Sequence, residues 1–160
     1  MINTPTTAAK PVQQAITGEE EIGDLSQPEQ ALAQFYKGFN TRNLDLIDAN
    51  FALTDEVVID NPLGGIRRGR EQPHLMYDKI FKSPADMKVE FWDYTINRIG
   101  EVFLAVGRER GSYVADGARK DISIRTSRFF RLYDGIWRQI HHHGSIEDAQ
   151  MLASIQQAVR

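Results

Sequence analysis

The apolar positions of this chain change period once, near Met87, and the change separates a helical half from a strand half. Leu32, Phe35, Tyr36 and Phe39 recur three and four residues apart. They follow Ser26-Gln27-Pro28-Glu29, a capping-box pattern with proline in the first turn. Asn40 to Asn43 break that helix, and Leu44 to Phe51 suits a second, shorter one with Leu44, Ile47 and Phe51 on one side. Val57 to Asn61 is a short β-branched run stopped by Asn61-Pro62 and Gly64-Gly65. Arg70 to Phe81 returns to helical character, with Pro73 near its start and Leu75, Ile80 and Phe81 apolar.

From Met87 the pattern is one of strands: Met87 to Ile99, Val102 to Val114, Ile122 to Tyr133 and Ile136 to His143. Turn signals at Asn97 to Glu101, Asp116-Gly117 and Asp134-Gly135 join them. Connections this short predict an antiparallel meander. Ser145 to Asp148 can cap a last helix carrying Met151, Leu152, Ile155 and Val159 on its apolar face. Helices followed by a curved antiparallel sheet give an α+β layer, with a conical cavity where the sheet folds around a helix. Met1 to Asp24 has no aromatic residue and carries Glu19-Glu20-Glu21, so it reads as a flexible arm over residues 1–24. The remainder, 25–160, reads as a single domain.

Composition narrows the function classes. A net charge of -3 over 160 residues disfavours a nucleic-acid partner. Arg67-Arg68-Gly69-Arg70, the only local basic cluster, reads as a solvated loop. The absence of cysteine removes disulfides, thiolate metal sites and thiol nucleophiles. No leader pattern and no apolar run of bilayer length is visible, so a cytoplasmic chain without a membrane partner is expected.

The chemistry concentrates near the end of the strand half. Alternation puts Arg128 on one face with Ile122, Ile124, Phe130 and Leu132. An arginine on an apolar face needs a partner. It either pairs with Asp60 or Glu109, or anchors an anionic ligand such as a carboxylate. Arg108 sits between two equally apolar phases, so its facing stays open. In His141-His142-His143 the same alternation puts His141 and His143 with Trp137 and Gln139, and His142 with Ile136 and Ile140. No carboxylate stands at ligand spacing on that strand, so hydrogen-bonded or proton-transferring histidines are expected rather than a metal site. Phe91, Trp92, Tyr94, Phe103, Tyr113 and Phe129 supply aromatic strand faces for core or for a subunit interface.

The order of Leu44-Asp45-Leu46-Ile47, Asp60-Asn61-Pro62, Gly69-Arg70-Glu71, Arg125-Thr126-Ser127-Arg128, Trp137 and His141-His142-His143-Gly144-Ser145 resembles the NTF2-like superfamily, in its SnoaL-like and ketosteroid-isomerase-like branch. The ending is also similar to the association domain of calcium/calmodulin-dependent protein kinase II. The resemblance covers roughly residues 26 to 145. It implies a cystatin-like cone and a homodimer formed through the outer face of the sheet. The kinase association domain has an arginine where Arg128 stands. In ketosteroid-isomerase-like enzymes a helix tyrosine polarises a carbonyl and an aspartate before a proline moves the proton. Tyr36 fits the first role. Asn61 occupies the second position, with Asp60 one residue earlier and so on the opposite strand face. The expected site is a pocket for a small polar or anionic molecule, with Asp60, Tyr36 and His143 as catalytic candidates. Arg128, Arg108, Trp92 and His141 are the binding candidates, and no cofactor is expected. The alternative is a non-catalytic oligomerisation or ligand-sensing module.

Overall fold

The computed structural model describes residues 9–158. The elements are α1 (Pro28–Asn40), α2 (Leu44–Asn50), β1 (Val58–Asp60), β2 (Arg67–Arg68), α3 (Gln72–Lys82), β3 (Asp86–Ile99), β4 (Val102–Ala115), β5 (Ala118–Tyr133), β6 (Ile136–Ile146) and α4 (Ala149–Ala158). They build an α+β fold whose sheet runs β2-β1-β6-β5-β4-β3. β3 to β6 form the expected antiparallel meander, and β1 adds to it parallel to β6. Arg67 and Arg68 form the short edge strand β2 rather than a loop. No helix among the described residues is long and apolar enough to cross a membrane.

Pro28 opens α1, where its missing N–H costs nothing. The Ser26 capping box does not form, and the Ser26 carbonyl instead accepts the Trp137 indole N–H at 2.8 Å. Arg42, in the left-handed region at φ 53°, turns the chain, and Asn43 caps α2 by accepting the Leu46 N–H. Leu32, Phe35 and Tyr36 carry α1 into the hollow of the sheet. In α3 the inward residues are Pro73, Met76 and Tyr77, while Leu75, one of its apolar positions, is exposed. Ser145 belongs to β6, and Asp148 caps α4 through the Gln150 and Met151 N–H groups. Val159 and the Leu152 side chain, expected on the apolar face of α4, lie outside the described residues.

The described part of the segment expected as a flexible arm lies along β3. Val12 and Ile16 exchange backbone hydrogen bonds with Tyr94 and Phe91, and Ile16 joins the core. The segment therefore covers the open edge of β3, whose unpaired amides would otherwise be exposed.

Two bulges reset the alternation of the strands. One lies in β3 between Trp92 and Thr95, with Asp93 at φ 49°. The other lies in β6, where Phe129 and Phe130 face His141 and Gln139 and so leave Ile140 as the extra residue. Each flips the facing of every residue beyond it.

Gly111 on β4 has no room for a side chain against β3. A Cβ there would stand 1.9 Å from the Lys88 carbonyl oxygen. Gly111→Ala is expected to cost about 3 kcal/mol, a fall in Tm of roughly 6–12 °C, as strand separation or backbone shift relieves the clash. Calorimetry checks this against Leu53→Ala, an exposed position expected to change stability by less than about 0.5 kcal/mol.

Candidate functional site

α1 and α3 close over the concave face of the sheet and leave a chamber of about 120 Å³. Phe35, Phe39, Met87, Val89, Ile122 and Ile124 supply its apolar wall, and Asn61, Tyr77, Glu109, Arg128 and His142 its polar groups. At the floor, Arg128 donates to Glu109 Oε1 at 2.8 Å, to the Tyr36 hydroxyl at 3.2 Å and to Gln139 Oε1 at 2.6 Å. The Tyr36 hydroxyl donates in turn to Glu109 Oε1 at 2.8 Å. The guanidinium lies over the Phe35 ring, 3.7 Å from its centre. Gln139 passes the network to Asn50, which donates to Gln34 and to the Ala31 carbonyl.

Burial sets the ionisation of this group. It pushes Tyr36 well above the ordinary phenol range and Tyr77 up to about 12, so both hydroxyls keep their protons. For Arg128 burial works against the charge, but Tyr36, Glu109 and Tyr77 outweigh it and hold the guanidinium ionised. His142 is pushed the other way. Burial first, then the Arg128 charge and its two flanking histidines, lower its pKa well below the ordinary value. Among the described residues neither ring nitrogen of His142 has a hydrogen-bond partner, although the residue is 4% exposed. A buried imidazole in that state is one open donor and one open acceptor at the chamber wall.

The sequence-predicted residues divide between two faces. Arg128 and Tyr36 stand at the chamber floor, joined through Glu109, one of the two carboxylates weighed as the arginine's partner. Asp60, His143, His141, Arg108 and Trp92 do not join them. Asp60 pairs with His143 outside the chamber at 2.8 Å, and His141 Nδ1 meets the Val58 carbonyl. Arg108 reaches Asp93 and Glu147, and Trp92 donates its indole N–H to Glu90. The β6 bulge explains the histidines. Trp137 and Gln139 face inward, Ile140 is extra, and the next inward residue is His142 rather than His141 or His143. The β3 bulge likewise leaves Phe91 and Tyr94 inside and Trp92 outside.

Sequence reasoning missed His142, Asn61 and Tyr77 as chamber residues. The only signal for Asn61 was its place before Pro62. Tyr77 follows Phe35 and Phe39 in packing, a contact between helices that no local pattern carries.

A family model described as a SnoaL-like domain matches residues 29–149. Among curated proteins no relative matches the chain. Solved structures share the fold. A candidate calcium/calmodulin-dependent protein kinase type II association domain from Thiobacillus denitrificans aligns with a TM-score of 0.68 at 22% identity, over 81% of this chain and 100% of its own. A candidate dehydratase of the NTF2-like family from Streptomyces avermitilis gives 0.72 at 16%, over 79% and 97%. A cystatin-like protein from Caulobacter vibrioides gives 0.65 at 24%, over 86% and 100%. At these identities the likenesses carry the fold alone, the cone of the NTF2-like superfamily. Within it, the span of the family match decides the membership: this chain belongs to the SnoaL-like family.

Proposed function

We propose that the chain takes a small, mostly apolar molecule with one polar group into the inner chamber and moves a proton on it. His142 is the proton-transferring group. The carrying observation is its buried, unpartnered imidazole beside Arg128. Held neutral, the ring can accept a proton from a carbon acid and, once it carries that proton, give it to a leaving hydroxyl. The protonated Tyr77 hydroxyl and the Arg128 guanidinium stand ready to stabilise charge developing on the ligand's oxygen. Glu109 balances Arg128 within the same wall, which favours a neutral polar ligand over the carboxylate read from sequence. An engineered cavity of about 150 Å³ holds benzene, so a chamber of about 120 Å³ suits a ligand of one small ring. The Streptomyces avermitilis neighbour is described as a candidate dehydratase, a reaction that also begins with proton removal. The second reading is binding without chemistry, favoured by likeness to the candidate kinase association domain.

Phenol is expected to raise Tm by roughly 3 °C at ten times its Kd, and benzoate to raise it less. Absence of any shift with phenol would overturn the chamber as a binding site. Exchange of the α-hydrogens of cyclohexanone in deuterated water, followed by NMR, tests the chemistry. Acceleration by the wild type, lowered about 100-fold by His142→Gln, is expected; a phenol shift with no exchange leaves the binding module.

The depressed pKa of His142 also fixes a sign. Below about pH 6.5 the unfolded chain takes up a proton that the folded chain refuses, so stability falls as pH falls. Between pH 7.5 and 5.5 the wild type should lose about 1 kcal/mol more unfolding free energy than His142→Gln, measured in urea. His74, raised by Asp48, works in the opposite direction but is common to both proteins and cancels.

A further inference from the structure

Asn61 and the turn that follows it form part of the rim of the chamber. Asn61 is 8% exposed, and its side chain lines the cavity. Its Oδ1 accepts the Leu63 N–H at 3.1 Å, and its backbone carbonyl accepts the Gly64 N–H at 3.1 Å. Its Nδ2 donates to the Met76 sulfur, the only acceptor that nitrogen meets among the described residues. A thioether accepts weakly, so the amide group is left short of good partners. An oxygen placed in the chamber would take one of its hydrogens on better terms.

The turn over residues 62–66 joins β1 to β2 on the concave side of the sheet, away from its outer face. Pro62 fixes that side. It rests on Gly144, which shares the inward phase of His142, and a Cβ there would come within 2.8 Å of the proline Cδ. Leu63 lines the chamber yet is 64% exposed, so it stands at the mouth. Behind it Gly64 and Gly65 hold φ of 91° and 78°, and a Cβ added at either would meet no atom within 4 Å. Two glycines with open space around them make a pivot. Leu63 swung inward would bury apolar surface against a bound ring, a gain that the empty chamber does not offer. Asn61 sits at the root of that motion, because turning its carboxamide toward a ligand moves the Oδ1 that holds Leu63.

We propose that Asn61 reads the ligand's oxygen and that the turn over residues 62–66 is a lid it releases onto the ligand. The inference rests on the chamber being the binding site. A ligand oxygen takes an Nδ2 hydrogen from the Met76 sulfur, the carboxamide rotates, and Leu63 closes over the ring. The lid therefore separates ligands of one shape by their chemistry. Phenol closes it, whereas benzene, which offers no oxygen, fills the same space and leaves it open.

The chain has no cysteine, so Leu63→Cys carries a single thiol, and its alkylation by iodoacetamide, followed by mass spectrometry, reports the lid. Phenol at a concentration that saturates its Tm shift should slow that alkylation about 10-fold, as the open population falls. Benzene should leave the rate unchanged. So should phenol with Leu53→Cys, at a position 71% exposed and outside the chamber. Adding Asn61→Leu to Leu63→Cys should abolish the protection and weaken phenol binding about 5-fold, the loss of one hydrogen bond. A phenol Tm shift without protection of the thiol overturns the lid. Equal protection by benzene, or protection that survives Asn61→Leu, overturns the role of Asn61. The comparison of the two ligands needs no change at Asn61, so it decides the matter even where that variant fails to fold. No Tm shift with phenol sinks the chamber itself, and the lid with it.

Discussion

The ion pair between Arg128 and Glu109 is the constraint around which the cone is arranged. Both side chains are almost wholly buried, at 1% and 6% exposure, in a setting where each charge alone would be very costly. Their attraction is not enough to offset that cost; the remaining donors and acceptors must also be met. Tyr36 from α1 and Gln139 from β6 meet them, and Asn50 extends the contact to α2. One pair of charges thus ties β4, β5, β6, α1 and α2 into a fixed relative position. The apolar packing of Phe35, Phe91 and Phe103 supplies the bulk of the burial, but it tolerates sliding in a way that a network of directed hydrogen bonds does not.

The same pair sets the electrical character of the chamber. A lone guanidinium at the floor would make the cavity a trap for anions. With Glu109 beside it the wall carries no net charge, yet it keeps strong local dipoles. His142 feels both consequences. Burial and the nearby positive charge deny it a proton, so the ring remains a neutral donor and acceptor. The state of the imidazole and the position of the arginine therefore have one cause.

How much of this was legible follows from where the strand period holds. On β5 Thr126, Arg128 and Phe130 keep the inward phase, so the burial of Arg128 and the need for a carboxylate partner could be read directly. The helical stripe of Leu32, Phe35 and Tyr36 was equally plain, as was the meander, because short turn signals, Asp-Gly in two of the three, fix the hairpins. The facing of Trp92 and of the histidines was not legible. Nothing in the local sequence marks Ile140 as a residue without a partner; the bulge is settled by pairing with β5 and by β1 docking alongside. The edge segment was missed for a similar reason. Val12 and Ile16 are too few to give a periodic signal, and only the open backbone of β3 makes them a strip of sheet.

That single unpaired residue on β6 has a consequence on both sides of the sheet. With strict alternation from Trp137, His141 and His143 would enter the chamber and His142 would face outward. Ile140 reverses this, so the central histidine enters the low-dielectric side, where it cannot charge. Its two neighbours take the polar side, where one finds a backbone carbonyl and the other a carboxylate and a hydroxyl. Three identical side chains in a row thereby acquire three environments. Chemical identity is the same at each position, so the difference in their chemistry comes wholly from the backbone register.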